Sequence, residues 1–445
     1  MGAPDLGTNT KQEKLGLNSP VNIAKFLVFS LIGIFMFFIP ITVNGVSSIA
    51  LDHIVTWIKQ NLHSVVPIYA LIVILLGAIY PFVTKTWKKD KVNIVFSFLK
   101  VFGFVAALII YLNIGPEWLM NPSMGPFLFE KLVIPVGLVV PIGSVFLALL
   151  VGYGLLEFIG VLVQPIMRPI WKTPGRSAVD AVASFVGSYS IGLLITNRVF
   201  KEGKYTIKEA TIIATGFSTV SATFMIVVAK TLGIMDIWNL YFWITLVVTF
   251  LVTAITVRIW PLNKVSDDYY TEVGDPEEVI KGDYLKNAWK SAMEGSEKSL
   301  SLRKNIWENL RDGFIMTMSI LPSIMSVGLI GLVLAEYTPV FDLLGYIFYP
   351  FTWVLQIPEP LLAAKASAIE IAEMFLPALL VVDAPLITKF IIAVLSVSSI
   401  LFFSATIPCI LSTEIPISIP KLLVIWLERT ILTLIIVTPL AFLFL

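Results

Sequence analysis

The sequence has one cysteine, Cys409, and two histidines, His53 and His63, among 445 residues. A single thiol excludes an intrachain disulfide and any Cys-based metal centre. Both histidines stand beside the first extramembrane stretch, so no His pair falls within the apolar body of the chain. Charge is scarce too. Asp, Glu, Lys and Arg make up 14%, against about 25% in an ordinary soluble domain. The formal net charge of +1 excludes a polyelectrolyte attraction to nucleic acid. The chain has no Ser/His dyad, no His-x-x-x-His and no paired aspartates at membrane depth. An intramembrane enzyme therefore lacks its groups, and no cofactor is expected.

What the sequence has in abundance is apolar length. Hydrophobic residues make up 57% and the mean hydropathy is +0.89, so lipid is the main solvent. A helix crosses the hydrocarbon in about 20 apolar residues. The pattern predicts about nine such helices: 22–43, 65–84, 93–114, 130–156, 206–232, 236–258, 313–336, 386–411 and 421–444. The first run follows a polar tail with Asp5, Lys11, Glu13 and Lys14. It is longer than the core of a cleavable signal and reads as a retained helix. Residues 47–63, with Asp52, His53, Lys59 and His63, read as an interfacial amphipathic helix.

Two further apolar stretches, 177–199 and 362–382, carry small or breaker residues and acids. The first holds Gly187-Ser188-Tyr189-Ser190 and Asp180. The second holds Pro377, Glu370 and Glu373. Loop charge distinguishes spans from hairpins, because Lys/Arg-rich short loops stay in the cytoplasm. Lys85, Lys88, Lys89 and Lys91 place the second loop inside. Arg168, Lys172 and Arg176 place the start of the first stretch inside, and Arg198, Lys201, Lys204 and Lys208 place its end there too. Both ends on one side make a re-entrant hairpin. Arg258 and the polar loop 261–312, with Arg303, Lys304 and Arg311, lie inside as well. The second stretch then begins and ends outside. The topology expected is a cytoplasmic N-terminus and an outer C-terminus in the inner (plasma) membrane.

The halves repeat. Phe158-Ile159-Gly160-Val161-Leu162-Val163-Gln164-Pro165 lines up with Leu343-Leu344-Gly345-Tyr346-Ile347-Phe348-Tyr349-Pro350. At the same shift Ser188 falls opposite Glu373, and the polar segments 215–224 and 396–408 correspond. The fold expected is an all-α polytopic membrane protein with about nine transmembrane helices and two re-entrant hairpins in two inverted-topology repeats. The divisions are a cytoplasmic tail 1–21, scaffold helices 22–125, a first repeat 130–258, a cytoplasmic loop 261–312 and a second repeat 313–445. Inverted repeats place a solute site at their interface.

Ionisable groups in lipid cost at least ~2.5–3.5 kcal/mol each, so they face a cavity or a partner. Glu370 and Glu373, three apart on one helical face, are expected to exchange a proton or hold a cation, or to pin the hairpin through Ser or backbone. Lys365 is an alternative partner for them. Asp180 is expected to pair with Arg176, Asn197 to face the cavity and Arg198 to sit in the headgroups. The substrate-binding expectation covers Ser188, Tyr189, Asn197, Glu370, Glu373, Ser404 and Thr406. The ion-coupling expectation covers Gly187, Ser218, Thr219, Ser221 and Glu373. Pro408 frees a carbonyl near Ser404, and hydroxyls with freed carbonyls suit Na⁺; the same serines also suit helix packing. Glu428 and Arg429 are expected at the inner end of the last helix.

The segments SFVGSYSIGLLITNRVFKEGKYTIKEATIIATGFSTVSATFMIVVAKTLG (184–233), ASAIEIAEMFLPALL and SSILFFSATIPCILSTEIPISIPKLLVIWLERT (398–430) resemble the YjiH-type family, whose members carry nucleoside-recognition, or Gate, domains. The resemblance runs from about residue 130 onward. The Gate domain is similar to parts of concentrative nucleoside transporters and of the ferrous-iron permease. In the nucleoside carriers, two opposed hairpins and two interrupted helices hold solute and sodium. Those carriers place Gln and Glu at the first hairpin, where this chain has Gly187, Ser188 and Tyr189. Related Gate proteins of sporulation imply small organic acids. The function expected is Na⁺- or H⁺-coupled secondary transport of a small polar solute (a nucleoside, an amino acid or dipeptide, or a small organic acid) by a homo-oligomer, dimer or trimer. The alternatives are a gated solute channel and a membrane assembly component.

Overall fold

The computed structural model describes residues 19–43, 45–88, 91–186 and 188–445. The charged tail, Lys89 and Gly187 lie outside the described residues. Among those described, seven helical stretches are long and apolar enough to cross a membrane: Pro20–Phe37, Val66–Val83, Asn93–Leu112, Phe127–Val151, Met235–Thr256, Leu302–Tyr337 and Ile419–Phe444. They correspond to seven of the nine runs. The other two, 206–232 and 386–411, each fold as two shorter helices around an irregular segment. The protein is an all-α polytopic membrane protein.

Helix α1 (Pro20–Phe38) starts where Ser19 Oγ accepts the Asn22 N–H at 3.3 Å. It ends earlier than the apolar run does. Pro40 opens a two-stranded hairpin, β1 (Pro40–Val43) and β2 (Val46–Ile49), turning on Gly45 at φ +80°. Then come α2 (Ala50–Asn61), α3 (Val66–Val83) and α4 (Lys91–Leu112).

From there two halves list the same elements in the same order. The first half has α5 (Ile134–Val151), α6 (Leu155–Trp171), α7 (Ser177–Val186), α8 (Tyr189–Lys201), α9 (Ile207–Gly216), α10 (Ala222–Leu232) and α11 (Trp238–Thr256). The polar loop follows and contains α12 (Tyr284–Glu297), which packs on α6 and α1. The second half has α13 (Leu302–Ser323) with its continuation α14 (Leu329–Tyr337), α15 (Val340–Val354), α16 (Pro360–Ile369), α17 (Leu376–Leu380), α18 (Leu386–Ser398), α19 (Thr406–Leu411) and α20 (Ile419–Phe444). A π-helical turn lies in each half's long helix, at Phe127–Val133 and Ile324–Gly328. The halves join where α5 packs on α13, and α11 on α18 and α20.

Local chemistry sets the breaks. Helix α9 opens with a capping box between Thr206 and Glu209 and stops at Gly216. Ser221 then caps α10 by accepting the Phe224 N–H at 3.3 Å. Short hydroxyl side chains compete for backbone groups, which favours ends over interiors. In the second half α18 ends at Ser398, and Ile400 sits at φ +66°, a strained place for a β-branched residue. Thr406 Oγ1 accepts the Phe402 N–H at 2.9 Å and donates to the Ile400 carbonyl at 2.7 Å, which closes the loop. The break at 399–405 thus precedes Pro408, which sits in the first turn of α19.

The second turn is also displaced from its expected place. Pro377 does not break a helix; it stands in the first turn of α17, where its missing N–H costs nothing. The turn instead spans residues 370–375, so Glu370 and Glu373 lie in it rather than on one helical face.

Candidate functional site

In the first half α7 and α8 pack against each other across a tip that contains Ser188. Their approach needs Gly192, whose Cβ would fall 1.7 Å from Ser184 Oγ. Asp180 does not pair with Arg176. It accepts hydroxyl bonds from Thr196 at 2.6 Å and Tyr205 at 2.8 Å, which ties the two arms and the following turn together. Arg176 faces Glu277 of the polar loop at 3.8 Å. Buried Glu277 also accepts the N–H groups of Gly175 and Arg176 and the Gln164 amide, so the loop clamps the base of this pair.

The second tip is held by backbone. The Phe403 N–H donates to the Ile371 carbonyl at 2.7 Å, and the Ser404 N–H to the Ala372 carbonyl at 2.9 Å. The turn 370–375 is thereby stitched to the interruption at 399–405. Glu373 Oε2 accepts the N–H groups of Phe375 at 2.5 Å and Leu376 at 3.1 Å, capping α17.

The two tips meet. A cavity of about 220 Å³ is lined by Ser188, Tyr189, Ser221, Glu373, Phe402 and Lys131. Tyr189 stands edge-on to Phe402 at 5.9 Å, and Phe224 to Phe375 at 5.9 Å. This volume lies below the ~300–1,000 Å³ of drug-sized pockets and suits a small solute. Serine hydroxyls, the Tyr189 phenol, the Glu373 and Asp52 carboxylates and the Lys131 ammonium supply its polar groups.

Two to three turns along, the other end of α8 borders a second cavity of about 660 Å³. Asn197, Arg198, Lys201, Asp312, Asn309 and Lys100 are among its lining residues. Asn197 accepts the Glu414 N–H at 2.9 Å here, away from the small cavity. Arg198 and Lys201 both pair with Asp312, at 3.0 and 3.1 Å.

The remaining expected residues fall elsewhere. Ser218 Oγ makes a long contact of 3.5 Å to the Ile213 carbonyl, while the Thr219 and Ser404 hydroxyls are buried without a partner among the described residues. Thr406 is consumed by its own loop. Glu370 accepts the Trp426 indole N–H at 2.5 Å, on the side of α20. Lys365 pairs with Asp342 of α15 at 2.5 Å and not with either glutamate. Arg429 is not at a helix end. It is fully buried in mid-α20, where Nη2 and Nε reach the Ser398 carbonyl at 2.7 and 3.0 Å.

Two ionisable groups escaped the sequence reading. Lys100 stands mid-way in α4, donates to Ser319 Oγ at 2.8 Å and lines the larger cavity. A lone lysine in an apolar run was its signal. Glu277 had no such signal, because its partners lie about a hundred residues away in sequence.

The family model described as Gate, nucleoside recognition, matches residues 133–235. That span takes in α5 to α10. The chain belongs to the YjiH-type family of such proteins: it is 32% identical over 445 residues to an uncharacterised protein of Alkalihalophilus pseudofirmus, covering 95% of each. It is also similar to the sporulation integral membrane protein YlbJ of Bacillus subtilis, 34% identical over 62 residues, 14% of this chain and 15% of that one. No solved structure matches it.

Proposed function

We propose that this protein is an ion-coupled secondary carrier of a small polar solute, using Na⁺ or H⁺ and working by alternating access around the cavity between the tips. One observation carries the reading. A single helix, α8, borders a small cavity with Tyr189 and Ser190 and a larger one with Asn197 and Lys201, about 10–18 Å further along its axis. A small cavity between the tips and a larger one beyond the body of α8 are a geometry that alternating access can use. In this reading the pairs α7/α8 and α16/α17 are re-entrant hairpins of inverted repeats, the first entered from the cytoplasm and the second from outside. Arg198, Lys201 and Lys204 support the inner position of the first. The protein works in the cytoplasmic membrane as a homo-oligomer, with no enzymatic step and no cofactor. Similarity to a nucleoside-recognition domain supports a nucleoside among the candidate solutes.

The test is flux in proteoliposomes over nucleosides, amino acids, dipeptides and small organic acids, with and without Na⁺ and pH gradients. Saturable flux that follows one gradient is expected, and Glu373→Gln should lower the gradient-driven part by at least about tenfold. Full coupled transport by that variant would remove Glu373 from the mechanism. Conductive, gradient-independent flux would instead identify a gated channel. No flux, and no solute that raises thermal stability, would point to an assembly component.

A further inference from the structure

Arg429, a cation without a carboxylate, and Glu370, an acid with one unpartnered oxygen, stand in the same buried region among the described residues. Both are fully buried. Among the described residues no carboxylate stands within ion-pair distance of Arg429, whose contacts are the Ser398 and Thr249 carbonyls and Thr253 Oγ1. Glu370 uses Oε2 on Trp426, while Oε1 has no hydrogen-bond partner among the described residues. Trp426 and Arg429 are three apart on one face of α20, so the same helix face addresses both the acid and the carbonyls.

Those carbonyls are not arbitrary. Ser398 is the last residue of α18, before the second interruption. Thr253, which takes Arg429 Nη1 at 2.9 Å, also lies 2.9 Å from the carbonyl oxygen of Gly216, the last residue of α9 before the first interruption. One guanidinium thus serves the carbonyl ends of both interrupted helices, directly in one half and through a hydroxyl in the other. Carbonyl ends are where a cation is favoured.

We propose that Glu370 and Arg429 form a proton-operated switch on the two interrupted helices, which makes H⁺ the ion that this carrier couples to; the coupling part rests on the carrier reading above. With Glu370 protonated and neutral, Arg429 stays on the Ser398 carbonyl and the Thr253 hydroxyl, and both helix ends are held. With Glu370 ionised, its free oxygen competes for the guanidinium. The end of α18 then loses its cation, and the interruption stitched to residues 371–372 loosens. The proton comes from and returns to the small cavity, which Glu373 borders.

The charged groups that act on Glu370 are Glu373 in the same turn and Arg429. Lys365 of α16 is engaged by Asp342 of α15. Helices α11 and α17 carry no charged residue; Lys389 lies in the first turn of α18 and Lys230 near the end of α10.

Cys409, the only thiol, is a native reporter. It is fully buried in α19, just beyond the second interruption. The measurement is its N-ethylmaleimide labelling rate in purified full-length protein, in wild type and in Glu370→Gln, which keeps an acceptor for Trp426 and cannot ionise. Dividing the two rates cancels the thiol's own pH dependence. The wild type should match the variant at about pH 5.5 and label at least about fivefold faster at about pH 8, with a one-proton midpoint. A ratio that stays flat across that range overturns the switch. As a second readout, pH-difference infrared spectra of the wild type should show one protonated-carboxyl band that Glu370→Gln lacks; identical spectra overturn it as well. Neither readout needs a solute. A flat ratio with coupled flux therefore defeats the switch alone, and a pH-dependent ratio without flux defeats the carrier reading alone.

Discussion

Arg429 shows how much one residue can carry in lipid. Its guanidinium replaces water at carbonyls that no helix partner can reach, and an isolated charge there would be expelled or neutralised. Arg429→Met should therefore leave the Ser398 carbonyl bare and remove the cation near Glu370. Breaking such a buried arrangement costs about 3–5 kcal/mol, to be read as a lowered melting temperature of the purified protein. Arg429→Lys, which keeps the charge without the fork, should lose less. Asp180 contrasts with it. Its carboxylate is answered by two hydroxyls and serves the packing of α7 on α8.

At the scale of elements, glycine sets how closely the scaffold approaches the second half. A Cβ on Gly77 would fall 1.7 Å from the Met318 carbonyl oxygen, and one on Gly103 2.2 Å from that of Pro322. Neither backbone can yield without moving α13, because small residues are what let membrane helices touch. Gly77→Val and Gly103→Val should each cut the yield of folded protein in size-exclusion profiles by several-fold. Gly45→Ala, at a turn with open space around its Cβ position, should cost much less despite its positive φ.

The connector α6 supplies a pH-dependent element outside the spans. Burial pushes the Glu157 carboxyl up, but Lys204 at 2.9 Å and Arg176 hold it below the usual carboxylate range. The Lys204 ammonium is opposed by burial and is held above its ordinary value by Glu157 and Glu202. A depressed carboxyl stabilises the fold above its unfolded pKa, and that contribution is lost as pH falls through the folded value. A raised amine contributes below its unfolded pKa and is lost as pH rises through the folded one. The pair is complete between these limits. Glu157→Gln should thus destabilise the protein by about 1.5–3 kcal/mol near neutrality. The difference from wild type in thermal unfolding should shrink as the medium becomes acid.

For the whole molecule, the decisive arrangement is a small cavity between the tips at one end of α8 and a larger cavity at its other end. In a Cys409→Ala background, Ser221→Cys should react with an impermeant maleimide from outside and Asn197→Cys only from the cytoplasm, as measured in intact cells and inverted vesicles. Labelling of both from one side would defeat the inverted arrangement.

The sequence was informative wherever lipid dictates the answer. A span needs a long apolar run because no water reaches its backbone, so nine runs stood out, of which seven fold as long apolar helices among the described residues and two are interrupted. Tip one was legible in its small residues, among which Ser188 falls between α7 and α8. Tip two was misplaced onto Pro377, because its turn is set by the bonds of residues 371 and 372 to residues 403 and 404. The candidate site was half legible. Ser188, Tyr189, Ser221 and Glu373 converge on one cavity, while Asn197, Glu370 and Thr406 face elsewhere.

By itself, then, the sequence determined membrane residence and the approximate spans, which follow from composition and local pattern, and the family, which follows from the resemblance of its segments. Tertiary structure alone decided which polar groups meet. Arg429 reads in the chain as the neighbour of Glu428 at a helix end; in the fold it stands at the carbonyl ends of two interrupted helices that begin about 220 and 40 residues earlier. Those partners exist only once packing has excluded water, because hydrogen bonds, unlike hydropathy, belong to pairs.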